Sequence, residues 1–147
     1  MIKVAIDTNI LFSSYVFGGN PRKLFRLAED RKISLGIPKY CILEIESVFK
    51  DKLGQEADKY FQLLEEWVDT YAGRISNPRN KIVNQYKNCT NDIWDLPVLA
   101  SVVLWEPDFF VTGNHRSFNK SKVELYVKIV TVSEMLNILE SVHMVIQ

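Results

Sequence analysis

MIKVAIDTN, residues 1–9, decides how this chain is read. Ile2, Val4, Ala5 and Ile6 form a short apolar run rich in β-branched side chains, the pattern of a strand buried on both faces of a parallel sheet. The run stops at Asp7. A carboxylate directly after a buried strand stands at the strand's carboxyl end, where open α/β sheets form their ligand crevices. Other acids then belong at other strand ends or helix starts. Glu44, Asp92 and Asp95 fall in such places, with Asn114 in a similar setting. The set points to a carboxylate cluster that binds a divalent metal and cuts nucleic acid.

Outward from that stretch, strands alternate with helices. Residues 10–17 continue as a short helix, and Gly18-Gly19-Asn20-Pro21 makes a turn into the next, with Pro21 suited to a first helical turn. Ile33 to Ile37 is a second strand, followed by a helix from about Lys39 to Lys52. Ala57, Tyr60, Phe61, Leu64, Trp67, Val68 and Tyr71 keep the i, i+3, i+4, i+7 spacing of the strongest amphipathic helix, whose aromatic stripe suits either core or a docking surface. Gly73 to Ser76 reads as an edge strand, and Lys81 to Asn88 carries no periodic signal. A helix then runs to Trp105, Phe109 to Val111 is a buried strand, and Tyr126 to Val130 is the last. Thr131 and Glu134 have capping-box spacing and open a terminal helix through Leu139. Such alternation predicts a parallel sheet with right-handed crossovers.

The chain's 147 residues suit a single domain, 1–147, with a real core. Eighteen basic and eighteen acidic residues cancel, so net charge lends no support to nucleic-acid binding. Cys41 and Cys89 lack metal-ligand spacing and read as reduced thiols of a cytoplasmic protein. No apolar run reaches the roughly 18 residues of a membrane span. His115 and His143 are isolated, and no His-Cys cluster suits zinc.

Each acid also has a plainer reading. Asp7 suits an Asx-turn. Glu44 shares a helical stripe with Cys41 and Val48, where a carboxylate is costly unless paired, metal-bound or at the rim. One of Asp92 and Asp95 suits the N-cap of the helix that holds Pro97, but a helix needs a single N-cap. Gly113-Asn114 is ordinary turn chemistry. Several acids at one sheet edge repel each other, and a hard cation such as Mg²⁺ or Mn²⁺ relieves that repulsion.

With these residues assembled, the chain resembles the PIN-domain family, most of all its toxin components of type II toxin–antitoxin modules. The matching stretches are VAIDTNILFSS, ISLGIPKYCILEIESVF, NDIWDLPVLASVV, DFFVTGNHRSF and IVTVSEML, in the family's order and over nearly the whole chain. The resemblance implies a three-layer α/β/α fold with a five-stranded parallel sheet of order 3-2-1-4-5. It implies that Asp7, Glu44 and Asp95 are catalytic and, with Asp92 and Asn114, bind Mg²⁺ or Mn²⁺. Asn114 falls where many members carry a fourth acid, so the site has one negative charge fewer. Thr8, Asn9 and Thr112 match positions that orient the acids or meet substrate, and His115 and Arg116 are further candidates for substrate phosphates. Arg22, Lys23, Arg26, Lys120 and Lys122 are basic rim candidates. The implied activity is endoribonuclease, with RNA as substrate and a cognate antitoxin and a homodimer as partnerships. A PIN scaffold that binds RNA or a protein without turnover is the alternative. A phosphohydrolase using Asp7 as nucleophile is disfavoured by Asn9, which stands where a second acid would be needed.

Overall fold

The computed structural model describes residues 1–16 and 18–146, with side chains described through residue 142 apart from Phe17. His143 therefore lies outside the described side chains, as does Phe17 of the expected 10–17 helix.

β1 (Ile2–Ile6) is the centre of the sheet. Its last three residues, Val4, Ala5 and Ile6, are fully buried in succession, so both faces of the strand are covered. β2 (Ile33–Pro38) pairs with it on one side and β4 (Phe109–Val111) on the other, both parallel. β3 (Ala72–Ile75) and β5 (Ile129–Val130) form the edges, giving the order β3-β2-β1-β4-β5 with every pairing parallel. This is the expected α/β topology.

Helices cover the sheet. α1 (Thr8–Val16) packs on α2 (Gly19–Glu29) and α3 (Lys39–Leu53), and α3 packs on α4 (Ala57–Tyr71). α8 (Val132–Ile146) packs on α2 and β4. α5 (Asn80–Val83) packs on α6 (Leu96–Trp105), and α6 in turn lies on β2 and β3. α7 (Lys120–Val123) is a single turn before β5. Phe49, Phe110, Leu11, Leu24, Leu64 and Met135, from six different elements, are among the largest fully buried side chains. No helix among the described residues is long and apolar enough to cross a membrane.

Two sequence expectations are corrected, and one segment without an expectation is filled in. The last strand begins at Ile129 instead of Tyr126, because β4 offers only three residues to pair and Tyr126, half exposed, leaves the sheet to set its ring edge-on against Tyr86. The terminal helix runs past Leu139 to Ile146, after a reciprocal capping box in which Thr131 N–H donates to Glu134 Oε1 at 3.0 Å and Glu134 N–H to Thr131 Oγ1 at 3.1 Å. The unpatterned segment 81–88 holds α5 and a 3₁₀ turn, Asn84–Tyr86, which put Val83 and Tyr86 into the core; pieces this short show no helical period. The α4 aromatics divide between the two readings of their stripe. Trp67 stacks on Phe25 of α2 with ring centroids 4.1 Å apart, while Tyr60 meets Tyr15 edge-on and stays partly exposed.

Candidate active site

The chain leaves β1 at Asp7 and turns straight into α1. Asp7 Oδ1 accepts the N–H of Ile10 at 3.1 Å, three residues on, which is N-cap geometry and not the expected two-residue Asx-turn. Its Oδ2 accepts the hydroxyl of Thr112, a fully buried residue just past β4. Because β1 and β4 are parallel neighbours, with Ile6 opposite Val111, their carboxyl ends bring Asp7 and Thr112 side by side. The same Thr112 oxygen accepts the N–H of Asn114 at 3.0 Å and so sets the direction of the following turn.

Glu44 comes from α3, which β2 feeds from the other side of β1. Its position is a rim and not a buried stripe: Glu44 is exposed, while Cys41 and Ile45 beside it are buried. Thr8 Oγ1 donates to Glu44 Oε2 at 2.9 Å and ties the rim acid to the start of α1. Glu46 faces elsewhere and pairs with Lys50 at 3.5 Å.

Asp92 and Asp95 have separate tasks. Asp92 Oδ1 accepts the N–H of Trp94 at 2.9 Å, an Asx-turn. Asp95 stands immediately before α6, yet its side chain does not cap that helix. Asp95 Oδ2 instead accepts from Ser117 Oγ at 2.8 Å and from Asn114 Nδ2 at 3.1 Å. The two loops concerned are laced together: Thr90 Oγ1 and Asn91 N–H both donate to Ser117 O, and Asn119 N–H to Cys89 O. Ser117 and Thr90 are the residues that sequence reasoning missed. Ser117 lies 22 positions from Asp95 in the chain, so only its hydroxyl three residues after Asn114 hinted at a role, and Thr90 acts through its bond to Ser117 O.

Asp7, Thr8, Asn9, Glu44, Asp95 and Asn114 thus line one cavity of ≈ 40 Å³ at the carboxyl edge of the sheet. Asp92 and Asn114 also border a wider groove beside it. Burial pushes the Asp7 carboxyl above its ordinary pKa against the hydrogen bonds from Thr112 and Ile10, and the charges of Asp95 and Glu44 add to the rise. Asp95 is raised as well, first by burial and then by Asp92, against the lowering effect of its bonds to Ser117 and Asn114. Both acids are therefore in surroundings that disfavour their negative charge. Cys41, behind them, is pushed up to about 12 by burial and is an unreactive thiol.

This donor set can be tested against a divalent cation. Apart from the Cys41 thiol, which burial keeps protonated, the donors are hard carboxylate, amide or hydroxyl oxygens, and the buried negative charge lacks a compensating basic side chain among the described residues lining the cavity. Among the described residues, no three His, Cys, Asp or Glu side chains converge into a ready-made ligand group. The residues therefore fit an ion that keeps several of its waters, as Mg²⁺ does, and do not form a closed protein cage.

The expected substrate contacts are unequal. Arg116 is exposed beside the site, whereas His115 is half-buried with its Nε2 shielded and without a hydrogen-bond partner. Arg22 is committed to α1, donating to Ser14 O and Tyr15 O, while Lys23, Arg26, Lys120 and Lys122 are exposed.

The family profile described as PIN domain matches residues 3–116. No curated protein matches the sequence. DNA-bound VapBC from Salmonella typhimurium is 15% identical and shares the fold with a TM-score of 0.63, over 90% of this chain and 99% of that one. VapBC2 from Rickettsia felis, bound to a promoter DNA fragment, is 12% identical with a TM-score of 0.63, over 88% and 98%. FitAB bound to an IR36 DNA fragment is 12% identical with a TM-score of 0.59, over 88% and 94%.

Proposed function

The chain belongs to the PIN-domain family, and on that premise we propose that it is a metal-dependent endoribonuclease, the toxin of a toxin–antitoxin pair. PIN domains are in general nucleases that depend on divalent metal. The observation that carries the reading is that Asp7, Glu44 and Asp95 all line one small cavity at the sheet's carboxyl edge. The likeness in fold to chains of VapBC and FitAB supports the toxin assignment.

Asp7, Glu44 and Asp95 would hold Mg²⁺ or Mn²⁺, with Asp92 and Asn114 as further oxygen donors. When bound, such an ion lowers the pKa of water and polarises a scissile phosphate for in-line attack. The protein's own residues prepare that chemistry. Thr112 and the Ile10 N–H hold the Asp7 carboxylate in one orientation. Thr8 fixes Glu44 at the rim, and Ser117 with the Asn114 amide fixes Asp95. Asn9 borders the cavity. Arg116, exposed two residues after Asn114, would take a phosphate of the RNA, and His115 is a further candidate for that contact. Asn114 donates to Asp95 where an acid would repel it, so the site would offer one negative charge fewer to a second metal. We further propose that residues 1–147 act as one domain, as a homodimer in the cytoplasm, held in check by a cognate antitoxin.

The test is cleavage of a labelled mixed RNA pool in Mn²⁺, Mg²⁺ or EDTA, with wild type and Asp7→Asn side by side. The expected result is metal-dependent cleavage that the substitution abolishes. Folded wild type that binds RNA or a protein partner yet never cleaves establishes the alternative, a PIN scaffold, for which the Asn114–Asp95 hydrogen bond is the favouring observation.

A further inference from the structure

Beside the acid cavity lies a groove of ≈ 730 Å³, which shares Asn9, Glu44 and Asn114 with it and adds Tyr40, Asp92 and Trp94. Trp94 is 83% exposed and its neighbour Ile93 74%, although both are large apolar side chains. The backbone of Trp94 is not loose: its N–H is held by Asp92, and Asp95 N–H closes the same turn on Asp92 O. A pinned turn that presents an indole to solvent at the mouth of a groove calls for an occupant.

We infer that this groove is a nucleobase subsite, in which an amino-bearing base of single-stranded RNA stacks on Trp94 next to the bond that the acids serve. The inference rests on the nuclease reading and names the part of the substrate that meets this wall. Charge selects the occupant. Among the described residues, no lysine or arginine lines the groove, so beyond the edge it shares with the acid cavity no basic side chain is there to hold a phosphate, and an uncharged base suits the wall made by Tyr40 and Trp94. Single-stranded RNA is recognised by bases splayed onto aromatic faces and read at their edges. Carboxylates accept from exocyclic amino groups, as an acid does from cytosine N4. Uracil lacks that donor, so adenine and cytosine are preferred to it. Tyr40, half-buried in the same wall, adds a second aromatic surface, and the Asn9 amide completes the polar edge.

The experiment measures anisotropy of labelled A₅, C₅ and U₅ with Ca²⁺ in place of Mn²⁺, and RNA cleavage kinetics with Mn²⁺, for wild type, Trp94→Ala and Trp94→Phe. Because Trp94 is exposed, all three should melt alike. Trp94→Ala is expected to weaken A₅ and C₅ binding and raise KM about tenfold, with kcat within roughly threefold, as for loss of one base stack. Trp94→Phe keeps a stacking face and restores most of the binding. Wild type should favour A₅ and C₅ over U₅. Cleavage with KM and base preference unmoved by Trp94→Ala overturns the subsite and leaves the nuclease reading standing. Trp94-dependent, amino-selective binding without any cleavage does the reverse. Absent pentamer binding overturns the subsite, as does RNA binding untouched by Trp94→Ala while a co-purifying protein is released.

Discussion

Asp7 is an acid whose surroundings work against its charge. Thr112 and the Ile10 N–H stabilise the carboxylate, but burial outweighs them and leaves its folded pKa raised. A raised carboxyl keeps its proton in the folded state over a pH range where the unfolded chain has already lost it. Stability then falls as pH climbs from the unfolded value near 3.8 through the folded pKa, and stays at the lower level above it. Asp7→Asn removes that cost while its amide oxygen still accepts from Ile10. In EDTA the variant should melt a few degrees above wild type at pH 7, with the gap closing toward pH 4. A variant that melts lower than wild type at every pH would show that burial does not govern this residue. The acid was legible as a candidate because it ended a β-branched run; its burial was not, because Thr112 lies 105 positions away in the chain. Glu44 reads the opposite way. Its place on an apolar stripe left pairing, metal binding or a rim position open, and the structure leaves it exposed at the rim, accepting the hydroxyl of the buried Thr8.

Gly36 shows how one element constrains its neighbour. It lies in β2 opposite Ala5 and Gly73, and a Cβ there would come within 2.6 Å of the Trp105 ring at the end of α6. Trp105 is itself held, since Lys3 donates to its carbonyl at 2.6 Å and sits over its ring at 4.2 Å. Gly36→Ala should therefore cost about 1–3 kcal/mol of stability by overpacking, read by urea denaturation, and Trp105→Leu in the same chain should recover part of it. An unaltered midpoint in the single variant would mean that the ring moves aside freely. Helices and strands were mostly legible, since repeats of 3.6 or 2 positions mark which side chains share a face. The Ala57–Tyr71 helix and the 131–134 cap follow from such local spacing. α5 does not, because an element of four residues exists through its neighbours' packing and carries no period of its own, and for the same reason the two-residue β5 was read with its start three positions early.

At the scale of the molecule, a chain with balanced charge concentrates acids at one end of its sheet. An ion that binds the folded site alone stabilises the fold by mass action, about 2.7 kcal/mol at a hundred times its Kd. Millimolar Mn²⁺ should accordingly raise the melting temperature of wild type, EDTA should reverse it, and Asp7→Asn should lose most of the gain. Equal shifts in both proteins would place the ion elsewhere. By itself, the sequence determined the alternation of strands and helices and the parallel sheet, since these follow from local periodicity; its motifs carried the resemblance to the family, and the acids that end its apolar runs supplied the candidate oxygen donors. The tertiary structure alone decided which acids are buried, that Asn114 spends its amide on Asp95, that Thr112 and Ser117 orient the carboxylates, and that Trp94 stands open beside them. Desolvation and charge pairing depend on distances through space, and the parallel pairing of β1 with β4 sets those distances between residues far apart in the chain.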